Sequence, residues 1–145
     1  MSVYADSSFM FSAFGADKHT QRASHWLRGC TEFPILVSRL TLFETENAFR
    51  SAVLDVRMSE ADMRAALKRI THALHEGFLL RREVSPHQWF PQAHRISGHD
   101  THESAARALD ILHIAAAIVL RAKGFLSFDD RQRELAKAEG LKVMP

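Results

Sequence analysis

The stretch Ser104–Asp129, SAARALDILHIAAAIVLRAKGFLSFD, decides the fold. Ser104 to Lys123 reads as one long helix stopped by Gly124. From Ala105 to Leu120 only Arg107, Asp110 and His113 interrupt an apolar surface, so this helix is buried on most sides. Phe125–Phe128 then reads as a strand, closed by Asp129. A buried helix feeding a buried strand is the building unit of a parallel sheet covered by helices.

The same alternation extends in both directions. Toward the N-terminus, Val3–Ala5 reads as a strand and Thr20–Arg28 as a helix stopped by Gly29. Ile35–Val37 is the next strand, and Ser38 is an N-cap for a helix through about Leu54. Leu40, Phe43, Ala48, Ala52 and Val53 mark its expected apolar face. Ser59-Glu60-Ala61-Asp62 opens another helix, and Gly77 closes it. Phe78–Leu80 is a third strand, and Ser85-Pro86 starts a further helix. Arg131–Ala138 is a short helix ended by Gly140, before a last strand at Leu141–Val143. The expected fold is α/β: a three-layer α/β/α sandwich with a central, mainly parallel sheet, in one domain over 1–145. Ligands of such sheets sit outside the carboxyl ends of the strands.

Composition agrees with that class. The chain has 145 residues, 46% hydrophobic and 25% charged, which excludes disordered and fibrous classes. Its formal charge of +2 excludes a histone-like polycation. Cys30 has no second cysteine to pair with, which points to a reducing compartment. MSVYADSS lacks a basic start and an apolar core, so no signal peptide is expected. The longest apolar run, Ile114–Leu120, falls far short of the ~20 residues that span a bilayer. A soluble, cytoplasmic protein is therefore expected.

The ligand-edge rule directs attention to acids. Asp6 and Asp129 each follow a strand, where aspartate also serves as a helix cap. Asp110 interrupts the buried helix, and a carboxylate there needs a cation, donors or a proton. A salt bridge to Arg107 at i−3 is one way to satisfy it, although such pairs are weak. Glu44 lies one turn from Leu40 and Ala48, on or beside the buried face, while Glu46 points outward. Four carboxylates brought together repel one another by about 1–4 kcal/mol per close pair. Divalent cations remove that penalty, and all-oxygen donors select Mg²⁺ or Mn²⁺ over zinc. Hard cations held by carboxylates activate water for phosphoryl chemistry.

These residues resemble the PIN-domain ribonucleases along nearly the whole chain. Val3-Tyr4-Ala5-Asp6-Ser7-Ser8 resembles the family's first motif, and Leu40 to Ala48, with Glu44 and Asn47, its second. Arg107 to Ala117 resembles the third motif closely, and Leu126-Ser127-Phe128-Asp129 the fourth. A PIN domain of this length is similar to the toxin half of bacterial VapBC-type toxin–antitoxin modules. The resemblance implies a Mg²⁺- or Mn²⁺-dependent endoribonuclease, usually a homodimer, neutralised by a cognate VapB-like antitoxin. It implies that Asp6, Glu44, Asp110 and Asp129 form the catalytic, metal-holding set. The RNA target implied by the family is a tRNA or ribosomal RNA. Pro86–Glu103 matches no motif.

The expected reaction is in-line hydrolysis of an RNA phosphodiester with no side-chain nucleophile. Ser8, Ser127 and Asn47 are expected to orient the carboxylates or metal-bound waters, Asn47 having packing or helix capping as its alternative. His113 shares the Asp110 face and can hydrogen-bond the site, although a satisfied core histidine is the commoner role. Arginine supplies 14 of the 19 basic residues, and its planar fork suits phosphate oxygens. Arg107, Arg131 and Arg133 are the candidates for RNA contact. Arg64, Lys68, Arg69, Arg81 and Arg82 are charges of the kind that usually face solvent. His99-Asp100-Thr101-His102 has no zinc spacing and reads as a polar loop. Phe9, Phe11, Phe14 and the region around Trp26 read as core or partner-binding surface. The competing reading is a catalytically inactive PIN-like or receiver-like doubly wound domain acting as a protein-binding or signalling module.

Overall fold

The computed structural model describes residues 1–100 and 106–145. Five parallel strands form one sheet: β1 (Val3–Ala5), β2 (Ile35–Val37), β3 (Leu79–Arg81), β4 (Gly124–Leu126) and β5 (Lys142–Met144). The described helices are α1 (Ser7–Phe14), α2 (Thr20–Gly29), α3 (Arg39–Leu54), α4 (Glu60–His75), α5 (Pro86–Asp100), α6 (Ala108–Val119) and α7 (Asp130–Ala138).

The strand order is β3-β2-β1-β4-β5. A flavodoxin-like receiver places β1 between β2 and β3, so this order excludes the receiver-like topology. Instead β1 lies between β2 and β4, and the order reverses at the β1–β4 seam. Ligands of doubly wound sheets bind at such a reversal, beyond the carboxyl ends of the strands. Asp6 and Asp129 follow the two strands of that seam.

Strand alternation divides the core into two layers. Val3, Ala5, Ile35, Val37 and Leu126 pack with Phe9, Met10, Phe49, Ala66 and Ile70 on one face. Tyr4, Leu36 and Phe125 pack with Ile96, Ile111, Ile114 and Leu135 on the other. The three-layer sandwich follows directly.

Local punctuation explains the helix limits. Ser38 and Ser59 accept the N–H of Thr41 and Asp62 and cap α3 and α4. Gly77 and Gly140 take positive φ just beyond α4 and α7, as stop glycines do. Elsewhere the structure differs from the sequence expectations. Helix α1 was not anticipated: Asp6 caps it by accepting the Phe9 N–H. The buried face of α3 is Thr41, Thr45, Phe49 and Ala52, while Phe43 is exposed. The threonines are tolerated there because Thr41 donates to the Ala5 carbonyl and Thr45 to the Thr41 carbonyl. Helix α6 spans only Ala108–Val119: the expected start at Ser104 lies outside the described residues, the chain leaves the helix at Leu120 and Arg121, where Arg121 takes positive φ, and Gly124 opens β4 instead of stopping the helix. His99 and Asp100 end α5 instead of forming a polar loop, and Thr101 and His102 lie outside the described residues. No helix among the described residues is long and apolar enough to cross a membrane.

Candidate active site

The buried carboxylate of Asp6 is the centre of the seam. Its Oδ1 accepts from the Ser8 hydroxyl at 2.8 Å and the Phe9 N–H at 2.9 Å. Its Oδ2 accepts from the Ser127 hydroxyl at 2.6 Å. Burial pushes the Asp6 carboxyl above the usual carboxylate range, against the opposing pull of His113 and these donors. The Ser127 oxygen also accepts the Asp129 N–H at 3.0 Å. Ser127 therefore joins the acid after β1 to the acid after β4. Ser8 completes the joint by accepting the Phe128 N–H at 2.9 Å.

Glu44 belongs to a second cluster. His113 Nε2 bonds its Oε1, and the Ser7 hydroxyl donates to the same oxygen at 3.4 Å. A carboxylate only accepts, so Nε2–H is the donor. The Tyr4 hydroxyl lies 3.0 Å from Nδ1, and the Ser38 and Thr41 hydroxyls lie 2.8 and 2.9 Å from the Tyr4 oxygen. Tyr4, His113, Ser38 and Thr41 are all buried. Burial pushes the Tyr4 phenol far above its usual range, partly opposed by the Ser38 and Thr41 hydrogen bonds. Its hydroxyl therefore stays protonated and serves as a donor. The sequence signal for this cluster was a tyrosine inside an otherwise aliphatic strand, since a buried phenol needs partners.

Asp110 is buried in the first turn of α6. Its Oδ2 accepts the Arg107 N–H at 2.9 Å. The expected salt bridge to the Arg107 side chain is not formed among the described residues; the helix N-terminus supplies the compensation instead. Asp129 caps α7 by accepting the Gln132 N–H at 3.0 Å on Oδ1.

The structure thus joins Asp6, Ser8, Ser127 and Asp129 in one network and Glu44, Ser7, His113 and Tyr4 in another. Ser7 and Asp6 are consecutive, so the two networks adjoin. Asn47 is exposed and bonds none of these acids among the described residues. The inward face of α3 is held by Thr45 and Phe49. Arg133 donates to the Ser127 carbonyl at 2.6 Å, and burial pulls its guanidinium below its usual range. It braces the turn that carries Asp129. Arg131 is half-buried in α7, and Arg107 is exposed at the start of α6.

The donor set suits a hard divalent cation. Its acids offer oxygen alone, with no thiol among them. Asp110 Oδ1, Asp129 Oδ2 and Glu44 Oε2 each lack a hydrogen bond among the described residues, although their sister oxygens are engaged. The spacing is more open than a closed metal cage: among the described residues, no three His, Cys, Asp or Glu side chains stand together as a ready group.

The family model described as PIN domain matches residues 3–138. VapC20 of Mycobacterium tuberculosis, a sarcin–ricin loop cleaving toxin, has a similar structure. It shows 17% identity and a TM-score of 0.72, with 99% of this chain and 100% of that one covered. PAE2754 of Pyrobaculum aerophilum is similar at 15% identity and a TM-score of 0.66, covering 99% and 83%. FitAcB of Neisseria gonorrhoeae is similar at 12% identity and a TM-score of 0.65, covering 99% and 96%. These likenesses show the fold. No curated protein matches the chain.

Proposed function

This chain belongs to the PIN-domain family, and from that premise we propose that it is a metal-dependent endoribonuclease toxin neutralised by a cognate VapB-like antitoxin. The observation that carries the reading is the Ser127 bridge between Asp6 and Asp129 at the seam where the sheet order reverses. It brings two acids to the ligand edge of the fold. That VapC20 is a sarcin–ricin loop cleaving toxin supports RNA as the substrate class, with a tRNA or ribosomal RNA as the target.

Asp6, Asp110, Asp129 and Glu44 would hold Mg²⁺ or Mn²⁺. When bound, the ion supplies activation of water and stabilisation of charge on phosphate oxygens. The chain's own residues prepare the place. Ser8 and Ser127 fix both oxygens of Asp6, and His113, backed by Tyr4, fixes one oxygen of Glu44. Arg133 steadies the Ser127 carbonyl. We also propose a cytoplasmic homodimer.

The test is cleavage of structured RNAs by purified wild type and Asp6→Asn, with and without Mg²⁺ or Mn²⁺. Cleavage by wild type alone, and only with metal, is expected. Equal cleavage by both proteins overturns the catalytic reading and favours a PIN domain used as a binding platform. The toxin role predicts growth arrest on expression alone and rescue by the antitoxin.

A further inference from the structure

Beside the acids lies a cleft of about 460 Å³, lined at one end by Ser7, Ser8 and Asp129 and further out by Phe11, His19, Ser51 and Arg57. Its size falls in the range of about 300–1,000 Å³ typical of small-molecule sites. The end nearest Asp6 is shared with the candidate active site, so whatever fills the cleft touches the reacting region.

The walls have the chemistry of a nucleotide site. His19 lies parallel to Phe128 at 4.6 Å, and Phe128 is stacked in turn with Phe9 at 5.9 Å. The His19 ring is thereby fixed at the cleft's edge, as is the Asp17–Thr20 turn that carries it, where Asp17 accepts the His19 N–H at 2.8 Å. Phe11, which also lines the cleft, is held against Phe49 at 4.9 Å. Rigid rings of this kind accept a base without further ordering. Arg57 spends one nitrogen on Asp55 at 3.2 Å and keeps other donors. Ser51 is exposed on α3 and adds a hydroxyl.

We infer that this cleft binds one nucleotide of the substrate RNA next to the cleaved bond, its base against His19 and Phe11 and its polar edge met by Ser51 and Arg57. The inference rests on the endoribonuclease reading and deepens it by locating a base-selective pocket. Phe11, expected to be core or partner surface, becomes a wall of that pocket.

The test is an abasic scan. A short 2′-O-methyl oligoribonucleotide of a sequence that wild type cleaves in its RNA form is made with one abasic site at each position in turn. Binding is measured by anisotropy on wild type, His19→Ala, Ala48→Trp and Ser51→Phe, each checked for folding by thermal melting. Ala48 lines the cleft, and a tryptophan there fills it. One position next to the cleaved bond is expected to lose about tenfold in wild type. His19→Ala is expected to weaken the intact oligonucleotide by about the same factor. The two plugged variants should show no positional effect. A flat scan in a wild type that still binds and cleaves RNA overturns the pocket while leaving the nuclease reading intact. Unchanged binding by a folded Ala48→Trp and Ser51→Phe does the same. Failure of wild type to bind or cleave any RNA overturns both. Loss of antitoxin binding in the plugged variants, with RNA binding untouched, assigns the cleft to the protein partner and overturns the inference.

Discussion

The Tyr4 hydroxyl stands 3.0 Å from His113 Nδ1, and the opposite ring nitrogen of His113 bonds Glu44. Strand β1 therefore orients a carboxylate on α3 through a histidine on α6. Tyr4→Phe keeps the ring packed on Phe125 but takes the partner from His113 Nδ1, while the Ser38 and Thr41 hydroxyls keep each other, the Thr41 N–H and the Ala5 carbonyl. It should cost about 1–3 kcal/mol of stability, read by urea unfolding. It should also weaken Mn²⁺ affinity about tenfold, read by calorimetry on the metal-free protein, because a partner that orients a ligand is lost. A stability loss with unchanged Mn²⁺ affinity would confine the relay to packing.

Asp6 separates function from stability in the opposite sense. Its carboxyl is raised in the fold by burial, so the folded state binds its proton more tightly than the unfolded state does. Its favourable contribution is present below the ordinary aspartate range and is lost as pH rises through the raised value. Asp6→Asn removes this dependence. Without metal, the variant should melt above wild type at neutral pH, with the gap closing as pH falls through the raised value to the ordinary aspartate range. RNA cleavage should be abolished in the same variant. Thermal melts across pH, without divalent ions, check the sign; a wild type that gains stability over Asp6→Asn as pH rises would contradict it.

Val56 tests the backbone independently of the site. It is 90% exposed and sits at φ 57°, a conformation that crowds Cβ against the following carbonyl. Val56→Gly should raise stability by about 1 kcal/mol because the strain is relieved and little packing is lost. Urea unfolding of the two proteins decides it, and a destabilised variant would show that the turn gains more from the side chain than it loses to strain.

Much of the architecture was legible because its punctuation is local. Ser38, Ser59, Gly77 and Gly140 act within a turn of themselves, and each bounds the element it was read to bound. Helix α1 escaped because Asp6 has two roles, and its capping role is visible only once the Phe9 N–H is in place. The inward face of α3 escaped because apolar periodicity does not count threonines, and Thr41 and Thr45 are buried only through carbonyl acceptors. Asp6 and Asp129 were recognisable as strand-end acids. The Tyr4–His113–Glu44 relay was not, since its partners are 109 and 69 residues apart in the chain and only the order of β1, β2 and β4 brings them together.

Asp129 is a helix cap and a proposed metal holder, and a pair of substitutions divides the two duties. It caps α7 by accepting the Gln132 N–H, and its other oxygen faces no hydrogen-bond donor among the described residues. Asp129→Ala removes both duties and should cost about 1 kcal/mol of stability along with cleavage. Serine is nearly as good a cap as aspartate, so Asp129→Ser should keep stability within about 0.5 kcal/mol of wild type. It cannot replace the free carboxylate oxygen, so cleavage should fall as far as in the alanine variant, with Mn²⁺ affinity reduced in both. Unfolding curves and cleavage rates on the same preparations make the comparison. A serine variant that cleaves RNA at the wild-type rate would reduce Asp129 to a helix cap and take it out of the metal-holding set.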